Sequence, residues 1–136
     1  MDKLSPARRG WLMSRVRSKD TIPELAVRHL VFGMGYRYRL HDKKLPGKPD
    51  LVFAGRRKVL FVNGCFWHGH EACRYARLPK THVKFWRAKV KRNRARDREI
   101  IAKLEADGWR VLTVWQCELK DLETLTEKIY AFLEDK

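Results

Sequence analysis

The sequence predicts an α/β domain in which a mixed sheet carries helices on its faces. Val59 to Val62 is an apolar run short enough to be a buried strand, and Arg110 to Trp115 alternates through Val111, Leu112, Thr113 and Val114 as an inner strand. Around them lie windows of helical spacing near residues 21–35, 81–107 and 121–136. The order is therefore α, β, β, β, long α, β, α. At 136 residues and 44% hydrophobic, the chain has the size of one domain with a single core.

Residues 1–19 hold six basic residues around Trp11, Leu12, Met13 and Val16, without a core-facing period. Such a composition reads either as a disordered tail or as an arm that folds on nucleic acid and presses Met13 or Trp11 against bases. Thr21 is a helix start, with Pro23 in the first turn and Glu24 at capping-box spacing. Leu25, Val27, Leu30, Val31 and Met34 are its expected buried side, and Gly33 and Gly35 its close. Glu24 is most simply a capping carboxylate, with a role near a metal as the alternative.

Tyr36 to Leu40 has strand period with one half-wet face. Leu45-Pro46-Gly47-Lys48-Pro49 is an extended turn that delivers Asp50 to a strand over Leu51 to Ala54. Gly55-Arg56-Arg57 turns the chain back into Lys58 to Val62, which makes an antiparallel hairpin. The second strand empties at Gly64 into a loop holding Cys65, Phe66, Trp67, His68, His70 and Cys73. Asp50 and that loop are then within reach of each other. Neighbouring loop residues do not share one core, so at least one of Phe66 and Trp67 is expected to face a partner.

Residues 81–107 contain no Pro or Gly and read as one long helix. Between Lys84 and Arg98 eight of fifteen residues are basic, yet Trp86, Asn93, Asp97, Ile100 and Leu104 fall near one line, with Lys89 beside it. The second half of the helix is expected on the sheet, while the first half offers Trp86, Lys89 and Asn93 to a ligand. The last window, with Leu122, Leu125, Ile129, Phe132 and Leu133, is a covering helix.

Charge narrows the partner. Lys plus Arg number 31 against 16 Asp plus Glu, a formal +15, so a polyanion is expected and nucleic acid is the first candidate. An anionic membrane or an acidic protein leaves the aromatics among the basic residues unexplained. Three cysteines, no signal-peptide core and no stretch of transmembrane length point to a reducing, cytoplasmic setting.

Two chemistries suit the loop and its neighbours. Cys65, His70, Cys73 and Cys117 would make a closed, tetrahedral and therefore structural zinc set, with buried free cysteines as the plain alternative. Asp50 is a hard oxygen ligand suited to Mg2+, His68 could accept a proton from an attacking water, and Glu24 or the Val62 carbonyl could complete the metal shell.

Met13 to Thr21, Leu45 to Asp50, Asn63 to His68, Phe85-Trp86, and Gly108 to Leu112 on through Trp115 and Cys117 resemble the very short patch repair endonuclease family. They do so in order, at matching spacing and over nearly the whole chain, and the run Gly64-Cys65-Phe66-Trp67-His68 is specific. The resemblance implies a restriction-endonuclease-like α/β fold with a structural zinc site, as a single endonuclease domain over residues 21–136 behind a basic DNA-contacting arm over 1–20. It implies nicking of duplex DNA 5′ of the thymine of a T:G mismatch, of the kind left when 5-methylcytosine deaminates. Asp50 would be the Mg2+ carboxylate, Val62 would supply a main-chain oxygen, His68 would be the general base, and Glu24 would stand in the metal's water shell. Cys65, His70, Cys73 and Cys117 match the zinc position. Phe66, Trp67 and Trp86 would be wedges from the major groove and Met13 from the minor groove, with Lys89 and Asn93 reading the mismatched bases.

A bacterial, nucleoid-associated monomer is the matching expectation, with mismatch-repair proteins as candidate partners and no membrane. The strand after Asp50 reads Phe61-Val62-Asn63, without the acidic-x-Lys pair common in restriction-like folds, and Asn63 stands where some relatives carry a histidine or an acid. Two competing readings are a non-catalytic zinc-stabilised module for mismatched or distorted DNA, and a single-strand or RNA binder that stacks bases on tryptophan.

Overall fold

The computed structural model describes residues 21–135, so the expected arm and Met13 lie outside the described residues. The first helix, α1, spans Ile22–Gly33. Its Thr21 hydroxyl accepts from the Glu24 N–H at 3.3 Å, and Pro23 sits in the first turn. Val27 and Val31, one turn apart, are fully buried, whereas Leu25 is 43% exposed. The expectation of a buried Leu25 fails because two residues are about 200° of helix turn, which puts it opposite Val27.

Strand β1 is only Arg39–Leu40, shorter than the alternation suggested. Tyr36 and Tyr38 lean on the core instead, and their hydroxyls donate to the Glu134 carboxylate (2.6 Å) and the Arg28 carbonyl (3.2 Å). Strand β2, Leu51–Phe53, pairs antiparallel with both β1 and β3, Lys58–Asn63, as the hairpin reading required. Strand β4, Arg110–Trp115, lies parallel to β3, so the sheet is mixed in the order β1-β2-β3-β4. A parallel neighbour needs a long crossover. Helix α2, Val83–Ala106, supplies it over 24 residues. Helix α3, Leu122–Glu134, completes the chain.

Alternation along the strands builds a core on each face. Leu51, Phe53, Leu60 and Val114 pack with Val27 and Val31 of α1 and Leu125, Ile129 and Leu133 of α3. Val52 and Val59 face the other way, against Leu104 and Ile100 of α2. Gly47, at φ +75°, lets the preceding turn press on α2, because a Cβ there would lie 2.5 Å from Ile100 Cγ2. This is the α/β, restriction-endonuclease-like arrangement that the sequence suggested.

Lys58 enters β3 almost fully buried, and its Nζ donates to the carbonyls of Phe132 (2.6 Å), Leu133 (3.1 Å) and Asp135. These are last-turn carbonyls of α3 and its first residue beyond, which have no partner within the helix. Lys58→Met is expected to lower unfolding stability by about 2–3 kcal/mol. Urea denaturation with an unchanged slope would register it, and a loss within error would remove the cap from the fold's energetics.

Candidate functional site

Strand register brings the first set of polar residues together. Leu40 lies opposite Leu51, so the next pair outward is His41 and Asp50, and the His41 N–H donates to the Asp50 carbonyl at 3.4 Å. Asp50 then turns its side chain along the sheet, where Oδ2 accepts from the Val62 N–H at 2.7 Å. A strand residue presents its N–H and C=O to the same side, so the Val62 carbonyl faces the Asp50 edge as well.

Helix α1 adds Glu24, which is 2% exposed and therefore far more than a cap. Glu24 Oε2 accepts from Arg28, one turn on, and lies 2.8 Å from His41 Nε2. His41 Nε2 is 3.8 Å from Asp50 Oδ1. One donor atom from each of Glu24, His41 and Asp50 falls within 4.8 Å of the others, a spread one divalent cation can span. Burial pushes the Asp50 carboxyl up to about 7; the Val62 N–H pulls against that rise and the Glu24 carboxylate adds to it. Two carboxylates gathered in a dry corner fit a hard cation that would offset their repulsion.

The loop after β3 carries the second pair. His68 Nδ1 lies 2.6 Å from Asp97 Oδ2 on α2. With the Nδ1 proton shared toward Asp97, Nε2 is the ring's acceptor. Gly69, at φ +60°, allows this approach, since a Cβ would lie 2.5 Å from Val90 Cγ1 and 2.7 Å from Arg94 Cδ. Asn93, one turn before Asp97, donates from Nδ2 to the Trp67 carbonyl at 2.8 Å.

Parallel pairing explains the third set. Asn63 is in register with Trp115, so the residues two beyond each, Cys65 and Cys117, leave the sheet side by side. His70 stacks on Trp115 with centroids 4.1 Å apart, and its Nδ1 lies 3.5 Å from Cys117 Sγ. The ligand atoms of Cys65, His70, Cys73 and Cys117 all fall within 4.8 Å of one another. Ligands at about 2.3 Å from a tetrahedral centre stand roughly 3.7 Å apart, so the set could hold zinc. Burial pushes the Cys65 thiol up to about 12 and raises that of Cys117, with Cys73 adding to both. A cation among them reverses that preference.

Rings form the outer rim. Phe66, Trp67 and Trp86 meet edge to face in a triangle with centroids 5.2, 5.6 and 5.8 Å apart. The tight turn from Gly64 to Gly69 folds both rings against Trp86 and outside the two hydrophobic clusters of the sheet, where each stays partly exposed. Lys89 is half-buried, three residues beyond Trp86 on α2.

Residues 1–74 match the family model described as DNA mismatch endonuclease Vsr. The chain belongs to the Vsr family. It is 56% identical over 133 residues to the type II nicking enzyme V.XorIIP of Xanthomonas oryzae pv. oryzae, covering 98% of this chain and 97% of that protein. It is 41% identical over 122 residues to the DNA mismatch endonuclease Vsr of Escherichia coli, covering 90% and 78%. Against the type II nicking enzyme V.NmeAIP of Neisseria meningitidis the identity is 39% over 128 residues, covering 94% and 91%.

The protein is accordingly a strand-nicking DNA endonuclease of the Vsr family, which sets aside both the non-catalytic module and the RNA binder. Among the described residues no helix is long and apolar enough to cross a membrane. Of the residues singled out from sequence, Glu24 and Asp50 come together beside Val62, the four Cys/His residues come together at the ends of β3 and β4, and Phe66, Trp67 and Trp86 join in one cluster. Sequence reasoning missed three neighbours. His41 is brought in by register alone. Asp97 stood on the Trp86 line but was read only as a position, not as a partner for His68. Phe85, 56% exposed and 5.0 Å from the Trp86 ring, carries no signal in the sequence beyond its place in the family pattern.

Proposed function

We propose that this Vsr-family chain nicks one strand of duplex DNA 5′ of the thymine of a T:G mismatch, in very short patch repair of deaminated 5-methylcytosine. The observation that carries the reading is the convergence of the Glu24–Asp50 carboxylates, the His68–Asp97 pair and the ring triangle on one end of the sheet. The relatives support it, one being a mismatch endonuclease by name and two being nicking enzymes.

Asp50 and the Val62 carbonyl would hold Mg2+, with Glu24 close to its hydration shell. A bound Mg2+ supplies polarisation of the phosphodiester and stabilisation of the leaving oxygen. His68 takes the proton of the attacking water on Nε2, while Asp97 holds the ring in orientation through Nδ1. Cys65, His70, Cys73 and Cys117 would hold zinc as a structural ion that keeps the loop against β4.

Phe66, Trp67 and Trp86 enter beside the mismatch, where unstacking costs least. Lys89 and Asn93 would read the mismatched bases, and Met13 would act from the opposite groove. Arg87, Lys91, Arg94 and Arg98 line an open groove between α2 and the loop that suits backbone phosphates. The arm over 1–20 and one domain over 21–136 then act as a monomer in the bacterial cytoplasm, where mismatch-repair proteins are candidate partners.

End-labelled duplexes differing only in one T:G pair test the reading, with and without Mg2+. A single Mg2+-dependent nick 5′ of the mismatched thymine is expected, and equal cutting of the matched duplex would overturn it. Asp97→Asn keeps the contact to His68 but removes the charge. It is expected to lower the single-turnover nicking rate by about 10–100-fold with DNA affinity unchanged, the scale of losing an outer partner of an active-site imidazole.

A further inference from the structure

We infer that His41 is a positioning residue that sets the distance between Glu24 and Asp50; the inference deepens the proposed cation site and rests on that reading. Glu24 belongs to α1 and Asp50 to the start of β2, and nothing in covalent geometry fixes one against the other. Arg28 binds Glu24 Oε2 from the same helix, one turn away, so it orients the carboxylate within α1 and moves with it. His41 comes from the far end of β1 and is tied to the sheet, since its N–H donates to the Asp50 carbonyl at 3.4 Å. Its Nε2 is 2.8 Å from Glu24 Oε2 and 3.8 Å from Asp50 Oδ1. The imidazole thus bridges helix and strand at the point where the two acids meet.

Backbone and burial favour the same assignment. His41 lies at φ 47°, a left-handed conformation in which a non-glycine residue is uncommon. That conformation turns the chain out of β1 with the ring aimed inward, where its side chain is 19% exposed beside a Glu24 side chain at 3%. A proton on Nε2 suffices for the bond, so the ring's charge is not required. With His41 in place Glu24 faces Asp50 at a separation one cation can span; without it, the bridge that runs from the helix carboxylate through the imidazole to the strand is lost.

The test uses the zinc-loaded full chain, with Mn2+ as the probe, followed by its free-ion paramagnetic resonance without DNA. His41→Gly suits the positive φ and removes the side chain, and His41→Gln restores an N–H donor at similar reach. His41→Gly is expected to weaken Mn2+ binding on the order of tenfold, and His41→Gln to remain within about twofold of the parent. In nicking assays the Gly variant should require more Mg2+ for half-maximal rate and regain most of the parent rate at saturation. Parent-like Mn2+ binding by His41→Gly would overturn the inference. So would equal loss in both variants, because the ring nitrogen would then be a direct ligand. Asp50→Asn separates the two levels: if it binds Mn2+ and nicks like the parent, the cation-site reading itself falls, whatever His41 does.

Discussion

Asp50→Asn is expected to reduce nicking by on the order of a thousandfold and, in Mg2+-free buffer at pH 8, to make the zinc-loaded protein more stable than the parent. The amide oxygen can still accept from the Val62 N–H, so the local geometry is retained. What changes is the charge. Burial, with Glu24 adding to it, raises the Asp50 carboxyl from 3.8 to about 7, so the folded state holds a proton that the unfolded chain releases earlier.

The stability contributed by that proton is full below the unfolded value near 3.8 and is lost as pH climbs through about 7. A shift of this size corresponds to at most about 4 kcal/mol, and the net gain from Asn at pH 8 is expected nearer 2 kcal/mol. Urea denaturation at pH 5 and pH 8 checks it: the variant's advantage should be markedly larger at pH 8, since at pH 5 only a minor part of the loss has accrued. Mg2+ should then stabilise the parent and leave the variant unmoved. An advantage of equal size at both pH values would mean that Asp50 is not strained by its burial.

The second large effect concerns the loop after β3. From Gly64 to Lys80, Cys65 is the one fully buried residue, so this segment has no apolar core of its own. Its position depends on the cross-link that Cys65, His70 and Cys73 would make to Cys117 through a shared cation. Cys65→Ser is expected to lose one zinc per chain, expose the segment to limited proteolysis and abolish nicking, since His68 and Trp67 move with it. The sheet should survive, because both hydrophobic clusters lie outside the loop. Far-ultraviolet circular dichroism close to the parent's, with zinc absent by atomic emission and cleavage between residues 64 and 80, is the expected pattern. Because burial holds the Cys65 and Cys117 thiols protonated, zinc uptake should also release protons, measurable as buffer-dependent heat. A Cys65→Ser protein that keeps its zinc and its protease resistance would refute the cross-link.

The element order was legible because each segment repeats a period long enough to read. Residues 81–107 lack any breaker, β3 carries an unbroken apolar run from Val59 to Val62, and in β4 only Thr113 interrupts the apolar positions from Val111 to Trp115. Leu25 and Tyr36 were misjudged for one reason: a single apolar or aromatic residue fits a helix face or a strand face equally well until its neighbours are known. In the candidate site, Cys65 and Cys117 were legible as thiols without a disulfide partner count. Their adjacency was not, since it follows from the register of β3 with β4. His41 lies 17 residues from Glu24 and carries no local motif, so only the pairing of β1 with β2 could bring it in. Asp97 was hidden by the basic residues around it on α2, although as a lone acid on the Trp86 line it was the strongest clue that the helix faces another polar group.

The ring triangle bears on how the protein behaves in solution before any substrate arrives. Large aromatics at an open rim are where copies of a chain adhere and precipitate. Here Phe66, Trp67 and Trp86 cover part of one another's surface, which shrinks the sticky area while keeping the rings close to the rim. Phe85 remains outside that cover. The helix that carries it also carries the densest run of cations, so two molecules approaching through this face repel before the rings touch, whereas a polyanion is drawn in. Colloidal stability and substrate capture are thus served by the same charges. High salt should weaken both at once, loosening the hold on DNA and letting concentrated protein self-associate through the exposed rings.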